Sequence, residues 1–193
     1  MLVLLVPSCP SERSETEVAS SVVLIRRASH LRANPGEIAF PGGRIEPGEA
    51  PLQAALREAL EEVALEAGDV EILGELPVVH ASRRSVTVLP FVAMARVLPE
   101  LKACPDEVDG VLVVPLRELV APGRYWQEQW DPAGDPAWVM HFFDLGDDVV
   151  WGATARMLYE LYLRLVSLGS GGRTDAPPGG RRRPASRPTT AAS

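Results

Sequence analysis

Cysteine is scarce in this 193-residue chain. The two residues, Cys9 and Cys104, form neither a C-x-x-C pair nor a zinc-type spacing. That excludes a disulfide framework and a structural zinc site, and both are read as free thiols. Histidine is nearly as scarce. His30, His80 and His141 have no metal-ligand spacing and are read as surface or packed side chains. No apolar run approaches the roughly 18 residues that a membrane helix needs. The apolar start, Met1 to Val6, ends at Pro7 and has no basic flank and no small-residue cleavage site, so it reads as a first strand rather than a signal peptide. The expectation is a cytoplasmic protein without a membrane partner. Positive charge is also lacking: the formal net charge is -7. From Gly169 onward five arginines face one aspartate, giving +4, which leaves -11 for residues 1–168. So acidic a body argues against general nucleic-acid binding, which needs phosphate-neutralising basic surface. An anionic small-molecule substrate would need a metal ion, a local basic patch, or both.

With 46% hydrophobic and 23% charged residues, the composition is that of a globular chain able to close one sizeable core. Leu2 to Val6 and Val18 to Ile25 read as strands, with a polar loop between them from Cys9 to Glu17. Arg26 to Glu49 holds Pro35, Gly36, Pro41, Gly42, Gly43, Pro47 and Gly48, so it reads as turns and loop around a short strand at Ile38 to Phe40. Pro51 to Leu65 reads as a helix, with proline suited to its first position. Leu52, Leu56, Ala59, Leu60 and Val63 recur at helical spacing as one apolar face. Val70 to Leu73, Ser85 to Val97, Val111 to Val114 and Trp138 to Asp144 read as strands. Pro115 to Val120 opens a short helix, and Trp151 to Leu168 reads as a long amphipathic one. The mixed order predicts an α/β or α+β fold with a mixed sheet between helices. From Gly169 the chain turns to Gly, Pro, Ser, Thr, Ala and Arg without apolar periodicity. The expected organisation is therefore one domain over 1–168 and a disordered tail over 169–193.

The most informative stretch is Arg57-Glu58-Ala59-Leu60-Glu61-Glu62. Glu58, Glu61 and Glu62 stand at i, i+3 and i+4, so they are neighbours on one helix face. Each like-charge pair destabilises a helix by roughly 0.2–0.5 kcal/mol. A hard divalent cation, which takes carboxylate oxygens, waters and phosphates, relieves that repulsion. Upstream, Gly42-Gly43 makes a Cβ-free turn through which backbone can approach a ligand closely. Arg26, Arg27, Arg32 and Arg44 crowd a segment whose only acid is Glu37. In an acidic body this is a local basic patch, and arginine's planar fork suits phosphate oxygens.

Written out, the segment is Gly43, five residues, Glu49, seven residues, then Arg57-Glu58-Ala59-Leu60-Glu61-Glu62-Val63-Ala64-Leu65. It resembles the Nudix box, G-x5-E-x7-R-E-U-x-E-E-x-G-U. Ala59 is small for the first bulky position. Ala64 replaces the last glycine, which predicts a shifted helix end. The resemblance implies an α/β/α sandwich with a mixed central sheet. It also implies Glu58 and Glu62 as ligands of Mg²⁺ or Mn²⁺, with Glu61 as third ligand or proton acceptor, and a Glu49–Arg57 ion pair tying loop to helix.

A second resemblance lies just upstream. Arg27-Ala28, three residues, Arg32, three residues, Gly36, three residues and Phe40-Pro41-Gly42-Gly43 are similar to the signature of the coenzyme A pyrophosphatase branch, with Val23-Leu24 for its two leucines and Ile25 in place of its threonine. Pro105-Asp106-Glu107-Val108 and Trp151-Gly152-Ala153-Thr154-Ala155 also look like that branch. The resemblance implies substrate contacts from Arg27, Arg32, Phe40, Gly42 and Gly43, and cleavage of coenzyme A to 3′,5′-ADP and 4′-phosphopantetheine. Metal-activated water would attack the phosphoanhydride, with Glu61 or Glu107 as proton acceptor. Other nucleoside diphosphate derivatives, such as ADP-ribose or NADH, are the alternative substrates. A nucleotide-sensing module without turnover is the alternative of a different class.

Overall fold

In the computed structural model the described residues are 1–7, 20–81, 86–130, 138–169 and 182–184. The loop reading of Cys9 to Glu17 lies outside them. Valine and leucine dominate the first two strands, β1 (Leu2–Pro7) and β2 (Ser20–Arg27), which pair antiparallel at the centre of the main sheet. Because side chains alternate, Val3, Leu5, Val22 and Leu24 enter one core layer, whereas Leu2, Leu4, Val23 and Ile25 enter the other. Both faces are buried, which is why these segments read as continuous apolar runs.

The rest of the sheet is built around this pair. Strand β3 (Ile38–Ala39) adds to β2, and β4 (Val70–Glu75) pairs with β7 (Phe91–Ala95), which runs parallel to β1. Strand β8 (Val108–Pro115) pairs with β2 along its length, with a bulge at Arg26/Arg27. Helix α1 (Pro51–Val63) covers one face through Ala55, Ala59 and Val63. Helix α3 (Gly152–Gly169) covers the other through Ala155, Met157, Leu158 and Leu161. The α/β/α sandwich with a mixed central sheet is thus the observed architecture. A hairpin of β5 (Val79–Ala81) and β6 (Val86–Val88), a short α2 (Leu116–Leu119), and a second sheet of β9 (Tyr125–Trp130), β10 (Trp138–Asp144) and β11 (Val149–Trp151) complete it. Among the described residues no helix is long and apolar enough to cross a membrane.

Several expectations are corrected. The strand read from Ser85 to Val97 is two, β6 and β7, because Pro90 interrupts it without an N–H to donate; Ser85 itself is outside the described residues. The apolar face of α1 is rotated: Leu60 points outward at 44% exposure, while Ala55 is buried. The helix also ends earlier than Leu65. Ala64 takes a left-handed conformation (φ 57°), and the N–H groups of Ala64 and Leu65 close on the Leu60 and Ala59 carbonyls. At the other end Gln53 accepts from the Ala50 N–H at 3.1 Å, half of a capping box that alanine cannot reciprocate. Strands β5, β9 and β11 had no place in the sequence reading. Three residues of the tail, β12 (Arg182–Pro184), pair parallel with β9; the rest of 170–193 lies outside the described residues.

Candidate metal centre and its surroundings

The sequence around β3 is built so that α1 can press against a glycine turn. A side chain at Gly43 would place its Cβ 2.3 Å from the Glu58 carboxyl, and one at Gly42 would lie 2.6 Å from the Met1 Cα. Gly42 also sits at φ 137°, a conformation that side chains rarely adopt. Its N–H donates to Glu62 Oε2 at 2.8 Å. The double glycine is therefore needed for two reasons: to admit Glu58 and to bring a backbone N–H to Glu62.

Glu62 is 1% exposed. Burial pushes its carboxyl up to about 7, with Glu58 and Glu107 adding like charge; the Gly42 N–H and Arg27 work in the opposite direction. Burial likewise raises Glu58, against the pull of Arg57. Glu107, on the turn before β8, completes the group: Glu58, Glu62 and Glu107 each offer a carboxylate oxygen within 4.8 Å of the others. Three hard oxygen donors crowded in this way, one buried, suit a divalent cation of the Mg²⁺ type.

Glu61 sits elsewhere. Its side chain is 52% exposed and bonds to Arg57 at 3.0 Å, outside the cluster of three. Arg57 is fully occupied. It grips both Glu49 oxygens (2.9 and 3.2 Å), Glu58 (3.1 Å), Glu61 and the Arg44 carbonyl (3.0 Å), binding the glycine loop to the helix. Glu49 is held below the usual carboxylate range by Arg57.

The arginines of the basic patch divide. Arg26 makes a two-pronged bond to Asp148, which ties β2 to the turn between β10 and β11. Arg27, beside it, points to the opposite face. Its NH1 lies 3.9 Å from Glu62 Oε1, and its buried Nε has no hydrogen-bond partner. An unsatisfied buried guanidinium donor beside a carboxylate cluster is suited to an incoming anion. Arg32 is exposed on the loop between β2 and β3. Phe40 is wholly buried in the core, so it anchors the glycine turn from beneath. His141, also buried, bonds to the Tyr125 hydroxyl at 2.8 Å, and burial lowers it to about 4; His30 and His80 are exposed.

One connection had no signal in the sequence. The Ala28 N–H donates to the Glu107 carbonyl (2.9 Å), the Ser29 N–H to Asp109 Oδ2 (2.9 Å), and His30 Nε2 bonds to the Asp106 carbonyl (3.1 Å). The loop that carries Arg32 and the turn that carries Glu107 are thereby fastened together.

The sequence model of the NUDIX domain matches residues 9–134. "Nudix hydrolase 3" of Caenorhabditis elegans is 42% identical over 103 residues, covering 52% of this chain and 43% of that protein, so the match spans less than half of the worm protein. "Uncharacterized Nudix hydrolase NudL" of Enterobacter sp. (strain 638) is 37% identical over 153 residues, covering 75% of this chain and 74% of that protein. Among solved structures, the Nudix hydrolase RenU of M. Smegmatis superposes with a TM-score of 0.54 at 19% identity, covering 88% of this chain and 84% of that one. A MutT/nudix family protein of Enterococcus faecalis gives 0.55 at 18%, covering 86% and 60%. These two likenesses concern the fold alone.

Proposed function

This chain belongs to the Nudix family, and from that premise we propose that it hydrolyses the pyrophosphate bond of coenzyme A or its derivatives, giving 3′,5′-ADP and 4′-phosphopantetheine. The observation that carries the reading is the convergence of Glu58, Glu62 and Glu107 beside the Gly42-Gly43 turn, with Arg27, whose Nε has no hydrogen-bond partner, at its edge. Glu58, Glu62 and Glu107 would hold Mg²⁺ or Mn²⁺, which when bound supplies charge neutralisation for the pyrophosphate and acidifies water.

The chain's own groups do the rest. Arg27 takes a phosphate oxygen with the donor it leaves free, and Arg32 reaches further phosphate from the loop. The Gly42-Gly43 turn lets backbone approach where a side chain would collide. In-line attack by water forms one P–O bond and breaks the P–O bond to the leaving phosphate. A carboxylate accepts the water proton. What supports Glu107 over Glu61 for that task is its membership of the cluster, since Arg57 engages Glu61 outside it. What supports coenzyme A is the Arg27-to-Gly43 signature, which supplies two arginines, Arg27 and Arg32, for a substrate bearing a pyrophosphate and a 3′-phosphate.

The test is product analysis with coenzyme A, ADP-ribose and NADH, each with Mg²⁺ or Mn²⁺. Fastest release of 3′,5′-ADP from coenzyme A is the expected result. Preferential cleavage of ADP-ribose or NADH overturns the substrate assignment and leaves the chemistry standing. Binding without products from any of the three overturns the enzyme reading in favour of a sensing module.

A further inference from the structure

The two strands that frame the site do not pair evenly. Along most of their length β2 and β8 match residue for residue, from Ser21 opposite Pro115 to Arg26 opposite Gly110. The next pair is Arg27 opposite Val108. Three residues of β8 therefore face two of β2, and Asp109 is the extra one. A bulge of this kind bends the strand locally and re-aims a side chain, often next to an active site. Val108 stays in the core at 1% exposure, while Asp109 is exposed. Asp109 Oδ2 accepts the Ser29 N–H at 2.9 Å, beyond the end of β2. Arg26 does not depend on Asp109 as its counter-ion, since Asp148 grips it through both oxygens. Among the described residues the Ser29 N–H is the one hydrogen-bond partner of the Asp109 carboxylate.

Ser29 opens the loop that carries Arg32. Backbone bonds close the base of that loop: the Arg27 N–H donates to the Glu37 carbonyl at 3.0 Å, and the Gly36 N–H to the Arg27 carbonyl at 3.1 Å. Two side-chain bonds hold its flank, Asp109 on the Ser29 N–H and His30 on the Asp106 carbonyl. Of these two, only the first has a carboxylate acceptor, and bonds to charged groups are the stronger kind. Arg32 itself is exposed and has no ion-pair partner among the described residues.

The turn that carries Glu107 has its own support. The Lys102 N–H donates to the Val63 carbonyl and the Cys104 N–H to the Glu62 carbonyl, both at 2.9 Å, so the segment hangs from the end of α1. The Cys104 carbonyl then accepts from the N–H groups of Glu107 (3.0 Å) and Val108 (2.8 Å). Glu107 is thus placed by α1 without help from the Asp109 side chain, whereas the arginine loop leans on that side chain.

We propose that Asp109 is a positioning residue for substrate binding: the bulge aims its carboxylate at the Ser29 N–H, and this bond sets the Arg32 loop where Arg32 meets the pyrophosphate. Asp109 touches neither metal nor substrate and acts through Arg32. The role rests on the proposed pyrophosphate chemistry.

The test uses the full chain with saturating Mn²⁺ and inorganic pyrophosphate, the group that coenzyme A, ADP-ribose and NADH share. Calorimetric titration is expected to show about tenfold weaker binding in Asp109→Ala, the worth of one hydrogen bond to a charged acceptor. Asp109→Asn, whose amide oxygen still accepts from Ser29, should recover most of the affinity. Hydrogen exchange at the Ser29 amide should quicken in Asp109→Ala by a similar factor. The rise in Tm on adding Mn²⁺ should match wild type, because the metal cluster keeps its support from α1. In an Arg32→Ala background, adding Asp109→Ala should cost little more, since the two act as one unit. Equal pyrophosphate affinity in wild type and Asp109→Ala would overturn the proposal, as would additive losses in the double variant. A lost Mn²⁺ shift overturns it too, because Asp109 would then support the metal cluster instead of the loop. A wild type that binds Mn²⁺ but no pyrophosphate overturns the pyrophosphate reading itself, and this role falls with it.

Discussion

Glu61 and Glu62 are adjacent in sequence and live in opposite environments. Glu61 is 52% exposed and held by Arg57; Glu62 is 1% exposed and meets the Gly42 N–H, Glu58 and Glu107. Their substitutions should separate accordingly. Glu107→Gln is expected to lower kcat by roughly 10²–10⁴-fold, the range for losing a positioned general base, while Glu61→Gln costs far less; steady-state kinetics at saturating Mg²⁺ decide, and equal losses would return Glu61 to the proton-transfer role. The raised carboxyl of Glu62 also has a stability signature. A folded-state value of about 7 against an ordinary 4.5 means that the folded chain binds the extra proton. This contribution is present below pH 4.5 and is lost as pH rises through 7. At about 1.4 kcal/mol per unit, it reaches no more than roughly 3.5 kcal/mol. His141 runs the other way: its lowered value, about 4, means that stability falls as pH drops from 6.5 through 4. Comparing metal-free wild type with Glu62→Gln isolates the first effect. The variant's stability relative to wild type should increase between pH 4.5 and 7 in urea titrations, and a pH-independent difference would refute the assignment.

Helix α1 shows how one element is set by its ends. Arg57 fastens its middle to the glycine loop, whereas its C-terminus depends on Ala64 at φ 57°. A non-glycine residue there costs about 1–2 kcal/mol in backbone sterics, and the helix accepts it because two capping bonds form on the Leu60 and Ala59 carbonyls. Ala64→Gly should relieve that strain. Glycine's greater freedom in the unfolded chain takes back about 0.4–1 kcal/mol, so the net gain is about 0.5–1 kcal/mol. For a chain of this size that is an increase of roughly 1–4 °C in Tm. Activity should stay unchanged, since Glu58 and Glu62 lie upstream of the cap. A fall in Tm would mean that the alanine methyl packs usefully and that the left-handed turn is not strained.

Across the whole molecule, what was legible in the sequence is what rests on local spacing. The carboxylates at i, i+3 and i+4, the Gly42-Gly43 turn and the doubly buried β1 and β2 could be read directly, because periodicity and steric demand are properties of neighbouring residues. Strands β9 and β11 were not legible: Tyr125–Trp130 mixes glutamine, glutamate and tryptophan, and its tryptophans find their role only opposite Phe142 and Trp138. The fastening of Ser29 to Asp109 joins positions 80 residues apart and leaves no local trace. The same distinction separates Glu107 from the helix carboxylates. It reaches Glu58 and Glu62 only because β8 pairs with β2 and returns the chain to α1. A cation held by all three would therefore bridge α1 to the turn before β8, and its binding energy would add to global stability. At a free Mn²⁺ concentration 100 times its Kd the gain is about 2.7 kcal/mol, or roughly 5–10 °C in Tm for a chain of this length. Glu62→Gln and Glu107→Gln should each diminish the shift, and Glu61→Gln should leave it nearly intact. If Mn²⁺ moves the Tm of wild type and Glu107→Gln equally, the cation is held by the helix alone, and the bridge between the two elements does not form.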